Sequence, residues 1–254
     1  MMAAVLAKGT TVIDNAAMEP EIAALEEFLV SMGAHIDGVG TNHLEIEGVD
    51  ALHPADCVTI PDRIEAGTLL VAAALAGDTN SSVRLEQCNP NHLSAVTTKL
   101  EDAGATITSG KDFIQIVPPE VIRPVNVTTS IYSGFPTDMQ AQWISLMSLA
   151  QGTSIVTDSI YHDRFMHVPE LQRLGANITV KENIATVVGV EKMTGAKVMS
   201  TDLRASASLI LAGLAAEGIT EVLRVYHLDR GYEQIEKKLS RLGADIERAS
   251  GEEF

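Results

Sequence analysis

Five charged residues lie where their types could do chemistry: Asp138 in FPTDMQAQ, Arg164 in YHDRFMHVPEL, Asp202 and Arg204 in TDLRASAS, and Arg230 in HLDRGYE. All fall at joints where a connection meets helix-forming sequence. The start of a helix offers unpaired backbone N–H groups and the positive end of its dipole, so it favours anions. An arginine fork suits bidentate binding of carboxylate or phosphate. A partly buried carboxylate among them could accept a proton from a hydroxyl or hold sugar hydroxyls. Converging, these groups would hold a small phosphorylated substrate. Plainer roles compete with this reading. Asp138 could be a helix N-cap like Asp62, and each arginine could be a surface ion pair worth ~0–1 kcal/mol.

Other chemistries find little support. His162, His167 and His227 lack the HExxH or compact Cys/His spacing of a metal site, so no metal and no other cofactor is expected. Cys57 and Cys88 have no histidine partner and read as inert. The glycine-rich phosphate loops and the GxSxG nucleophile turn are absent from the sequence.

The elements that must position these residues recur along the chain. LEEFLVSMGAHI, VTTKLEDAGATI, ELQRLGANI and KLSRLGADI place glycines at 33, 104, 175 and 243, at spacings of 71, 71 and 68. Each glycine follows apolar residues at helical spacing and reads as a helix stop, with a strand to follow. Between them, MAAVLAKGTTVI, VAAALAGDTNSSVRL, LMSLAQGTSIV and LAGLAAEGITEVL read as Ala/Leu-rich buried helices ended by Gly9, Gly77, Gly152 and Gly218, each leading into a short strand. Three of these helices are preceded by a strand-like approach and an aspartate, Asp62, Asp138 or Asp202. The first unit lacks that approach and is entered partway, which suggests the C-terminal part of a longer protein. The segment Pro54 to Pro61 is the best linker candidate. A repeat of about 70 residues alternating strands with buried and outer helices specifies an α/β fold.

With 34 acidic against 18 basic residues, the net charge is −16. That balance excludes a non-specific nucleic-acid binder, which needs a basic surface. No run reaches the roughly 18 apolar residues of a membrane span, and two cysteines make no disulfide framework. A soluble cytoplasmic protein without nucleic-acid or membrane partners is expected.

PDRIEAGTLLVAAA, FPTDMQAQ, RFMHVPEL, TDLRASASLILAGLAAEG and HLDRGYEQIEKKLSRLGADIER together resemble the UDP-N-acetylglucosamine enolpyruvyl transferase family over essentially the whole chain. The resemblance implies an inside-out α/β barrel fold of two similar domains, three repeats each, with the active site in the cleft between them. Residues 1–62 would be the last repeat of the first domain and residues 63–254 the second domain. About 165 N-terminal residues of the family, more than two such repeats, would have no counterpart here. The implied reaction moves the enolpyruvyl group of phosphoenolpyruvate to the 3-hydroxyl of UDP-N-acetylglucosamine and releases phosphate, the first committed step of peptidoglycan synthesis.

By the same resemblance, Asp138 is the proton acceptor at the sugar's 3-hydroxyl and Ile160 touches the nucleotide sugar. Arg230 binds phosphoenolpyruvate, Asp202 and Arg204 lie near the reacting centre, and Arg164 steadies the closed site. The family's loop cysteine, its N-terminal lysine and a strand contributed to the second domain fall in the missing part. The chain alone is therefore expected to be inactive or feebly active, with an unpaired sheet edge that invites self-association. Two alternatives stand beside the transferase reading: a non-catalytic UDP-sugar-binding or regulatory remnant, and the related shikimate-phosphate enolpyruvyl transferase.

Overall fold

The computed structural model describes residues 1–249; the last five residues of the expected second domain lie outside it. The chain divides into two compact units. One comprises Met1–Pro61 together with Ile131–Gly134; the other comprises Asp62–Ser130 and the residues from Phe135 on.

In the first unit, β1 (Thr10–Asp14), α1 (Pro20–Ser31), β2 (His35–Asp37) and β3 (His43–Glu47) follow in order. The sheet runs β1-β3-β2 with both pairings antiparallel. The last strand thus inserts between the first two, which run parallel to each other. Leu44 and Ile46 of β3 point inward with Leu29 of α1 to make a small core of their own.

The second unit repeats this frame. Its first copy contains α2 (Arg63–Ala76), β4 (Val83–Glu86), α3 (Ser94–Asp102), β5 (Thr106–Ser109) and β6 (Phe113–Val117). The next contains β7 (Val127–Thr128), α4 (Gln140–Met147), β8 (Thr153–Thr157), α5 (Val168–Arg173), β9 (Asn177–Lys181) and β10 (Ile184–Val188). The last contains β11 (Met193–Thr194), β12 (Lys197–Met199), α6 (Leu203–Ala215), β13 (Ala216–Glu217), β14 (Glu221–Leu223) and α7 (Ile235–Arg241). The sheets run β4-β6-β5 and β7-β8-β10-β9, so the inserted central strand recurs. Inward residues at alternate positions recur with it, Ile114 and Ile116 on β6 and Ala185 and Val187 on β10. Even a close backbone approach is repeated. Gly48 and Gly189 each follow a central strand, and a Cβ there would lie 1.6 and 1.7 Å from the carbonyl oxygens of Ala7 and Ala150. No side chain fits at either place.

The helices fall into the two expected kinds. Along α2, α4 and α6 most residues are buried, all of them in α4, and these three helices pack on one another. Their small residues, such as Ala72 to Ala74 and Ala205 to Ser208, permit that approach. The outer helices bury one narrow stripe each, Val96 and Leu100 on α3 and Ile235 and Leu239 on α7. The glycines that end the outer helices are all left-handed, with φ of +96, +110, +97 and +101° at Gly33, Gly104, Gly175 and Gly243.

Asp62 and Asp202 cap α2 and α6, each accepting two backbone N–H groups on one carboxylate oxygen. Asp62→Ala is expected to cost about 1 kcal/mol, read as a lower urea midpoint.

Four expectations fail locally. The helix expected before Gly9 is only a single 3-10 turn, Ala4–Leu6, though the strand expected after it forms as β1, because the apolar run breaks at Lys8-Gly9 and is too short to sustain a helix. Helix α4 ends at Met147, short of Gly152, where the Ser148 hydroxyl donates back to the Ile144 carbonyl and competes with the ladder. Among the approach segments to the three aspartates, only the one before Asp202 forms a named strand close by, β12, paired with β14; the one before Asp138 makes a single bridge, Phe135 to Thr129. Residues 244–249 make no strand, since among the described residues they have no hairpin partner of the kind β6 gives β5.

Candidate active site

The N-terminal halves of the three core helices meet at one point in the second unit. The link is the hydroxyl of Tyr232, a residue only 1% exposed. It lies 2.9 Å from Thr68 Oγ1 on α2, 3.2 Å from Gln142 Nε2 on α4, and 3.4 Å from Arg204 Nη1 on α6.

Asp138 sits beside this point, on the 3-10 turn Thr137–Met139 that leads into α4. It is no helix cap. Asp62 directly follows Pro61, whereas Thr137 intervenes between Pro136 and Asp138, so Thr137 holds the position equivalent to Asp62. One residue beyond the cap, the Asp138 carboxylate is gripped on both sides. Arg164 Nη1 donates to Oδ1 and Arg204 Nη2 to Oδ2, each at 2.7 Å. Burial alone would raise the acid's pKa, but the charges and hydrogen bonds of Arg204 and then Arg164 outweigh it and hold the carboxyl below its ordinary range. Arg204 is 13% exposed and Arg164 25%, so these pairs are not freely screened surface bridges.

The segment carrying Arg164 is fixed by Asp158, which sequence reading overlooked. This fully buried carboxylate accepts from the hydroxyls of Thr129 (2.7 Å) and Thr137 (2.6 Å) and from the backbone N–H groups of Ile160 (3.0 Å) and Tyr161 (2.9 Å). Thr137 in turn accepts from Arg164 Nη1 at 3.1 Å. The signal was the run Asp-Ser-Ile-Tyr after β8, where an aspartate can bond backbone two and three residues on.

Asp138, Arg164 and Arg204 are therefore brought together, while Asp202 spends its bonded carboxylate oxygen capping α6. Ile160 is half exposed on the Asp158 turn. Arg230 is exposed at the end of the 3-10 segment Val225–Arg230, two residues from Tyr232, and its side chain makes no hydrogen bond or ion pair among the described residues. Its neighbour Asp229 is instead engaged by both terminal nitrogens of Arg248, at 2.6 and 2.9 Å. The amide of Gln140, fully buried on the first turn of α4, has no hydrogen-bond partner among those residues.

Of the three histidines considered, only His167 is buried. No cluster of His, Cys, Asp or Glu among the described residues could hold a metal ion. Burial lowers the His167 pKa to about 4, with Arg164 adding to the shift and Asp202 opposing it. The unfolded ring takes its proton near 6.5, so between these values the unfolded chain binds more protons than the folded one. Stability is thus whole above about pH 6.5 and is lost as the pH falls toward 4, by about 3 kcal/mol at most. His167→Gln is expected to flatten the urea midpoint between pH 4 and 7 by that much; an unchanged slope would count against the assignment.

The fold class is that of the enolpyruvyl transferases. The chain is similar to the crystal structure of the enolpyruvyl transferase NikO from Streptomyces tendae, with a TM-score of 0.85, 31% identity, and 96% of this chain and 57% of that one covered. It also shares its fold with EPSP synthase from Acinetobacter baumannii, at TM-score 0.73 and 19% identity, covering 98% and 60%. The chain belongs to the EPSP synthase (3-phosphoshikimate 1-carboxyvinyltransferase) family, whose pattern it matches over residues 1–239.

Within that family, it is 58% identical over all 254 residues to a UDP-N-acetylglucosamine 1-carboxyvinyltransferase of Chlorobium chlorochromatii (strain CaD3) and 59% to one of Chloroherpeton thalassium (strain ATCC 35110 / GB-78). A protein of the same name from Myxococcus xanthus (strain DK1622) is 56% identical over 248 residues, 98% of this chain. The chain spans 58–59% of the length of these relatives.

Proposed function

We propose that this chain supplies part of the site for enolpyruvyl transfer from phosphoenolpyruvate to the 3-hydroxyl of UDP-N-acetylglucosamine. Residues 1–62 act as the last repeat of a first domain and residues 63–254 as a second. The observation that carries the reading is the Asp138 carboxylate held on both oxygens by Arg164 and Arg204 beside the core helix N-termini. Asp138 accepts the 3-hydroxyl proton, and the freed oxygen bonds to C2 of phosphoenolpyruvate as the methylene carbon gains a proton. Loss of a methyl proton and cleavage of the C2–O bond then release inorganic phosphate. Arg230, with no partner among the described residues, takes phosphoenolpyruvate, and Ile160 packs on the nucleotide sugar.

While both guanidiniums sit on Asp138 it is a weak base. An anionic substrate that draws them off restores its basicity once the reactants are bound. The amino-sugar substrate is favoured over shikimate phosphate by the relatives' 54–59% identity and their names. No helix among the described residues is long and apolar enough to cross a membrane, in keeping with a cytoplasmic step of peptidoglycan synthesis on which cell shape and division depend. Self-association through an exposed sheet edge of the second domain belongs to the same reading.

Calorimetric titration with UDP-N-acetylglucosamine, followed by phosphoenolpyruvate with phosphate release monitored, tests it. Turnover supports an enzyme and binding alone a sugar-binding module. Binding of neither sinks the proposal.

A further inference from the structure

Proton accounting around Tyr232 leaves one arrangement. The Thr68 hydroxyl donates to the Ile64 carbonyl at 2.8 Å, so its proton is spent inside α2. In the 2.9 Å contact between Thr68 and Tyr232, the phenol must therefore be the donor. Both lone pairs of the phenol oxygen are then free to accept, one from Gln142 Nε2 and the other from Arg204 Nη1. Gln142 Nε2 also donates to Thr68 Oγ1 at 3.1 Å, which closes the ring of contacts. Every member is buried except Arg204, whose other terminal nitrogen grips Asp138. The guanidinium thus has one nitrogen on a rigid acceptor and one on the carboxylate.

We propose that Tyr232 is a positioning residue: its hydroxyl, turned by Thr68 so that its lone pairs face Arg204, fixes that guanidinium against Asp138 and sets the basicity of the carboxylate. Tyr232 also lies two residues after Arg230, so the same anchor ties the segment bearing Arg230 to the N-terminal halves of α2, α4 and α6. The importance of the arrangement to catalysis rests on the transfer reading, but the arrangement itself can be tested without substrate.

The test is the carboxylate titration of Asp138, followed by carbon-13 NMR in the whole chain, with the signal assigned by its absence in Asp138→Asn. Tyr232→Phe keeps the ring and removes the acceptor, and the Asp138 midpoint is expected to move up toward that of an ordinary aspartate. Thr68→Val keeps the phenol but removes the group that takes its proton. It is expected to move the midpoint the same way, and it decides the matter if Tyr232→Phe does not fold. Thr68→Ser restores the hydroxyl and is expected to titrate like the parent. An unmoved midpoint in Tyr232→Phe and Thr68→Val overturns the proposal, as does a Thr68→Ser midpoint displaced as far as that of Thr68→Val. A chain that shows the shifts yet binds neither substrate overturns the transfer reading alone.

Discussion

Asp138→Asn is expected to lower whatever enolpyruvyl transfer the chain supports by about 10²–10⁴, the usual worth of a positioned general base. The substitution keeps shape and one acceptor oxygen, so one arginine contact survives. It removes the lone pair that must take the hydroxyl proton. The affinity for UDP-N-acetylglucosamine is expected to change by less than about tenfold, the worth of one hydrogen bond. The loss should therefore fall on kcat, read as phosphate release at saturating sugar nucleotide, with calorimetry reporting the affinity. Unchanged turnover would remove Asp138 as the base. An equal loss in binding and turnover would make it a sugar ligand only.

Asp158→Ala is expected to cost about 3–5 kcal/mol of stability. The carboxylate is fully buried and serves four donors, two hydroxyls and two backbone N–H groups. Alanine strands all four in a place without room for compensation, and each stranded donor carries its desolvation cost. Asp158→Asn should cost less, roughly 1–2 kcal/mol, because Oδ1 and its three donors can stay while the Thr137 hydroxyl turns to accept. Urea unfolding of the two variants gives the comparison. A midpoint in Asp158→Ala equal to the parent's would show that the 158–161 turn holds itself.

The long-range frame was legible because it rests on local rules used repeatedly. The glycines at 33, 104, 175 and 243 stop helices wherever they fall, and each takes the left-handed conformation that a stop needs. Asp62 and Asp202 announce caps for the same reason. Legibility failed where structure depends on a partner far away in sequence. A strand at 244–249 needs a neighbour, and the residues themselves carry no sign of having one. The Asp138 grip was half legible. Its residue types and their places at joints were visible, but its separation from the cap position turns on Thr137 standing where Asp62 stands in the preceding copy. Asp158 showed in sequence only its local turn, and Tyr232 nothing, since most of their importance comes from hydrogen-bond partners 21 to 164 residues distant.

Thr137 stands where the other two copies carry a capping aspartate, and the Asp138 carboxylate falls one residue later. Duplicated copies of one frame are interchangeable as scaffold, and symmetry of that kind suits folding but is useless for a reagent that must tell one end of an asymmetric molecule from the other. Asp62 and Asp202 keep their capping duty in two copies, while a one-residue offset in the copy between them releases a carboxylate from that duty and turns it toward two guanidiniums. Chemical polarity was thereby introduced without disturbing the helices, and the frame's evenness survives in the backbone while it is broken in the side chains.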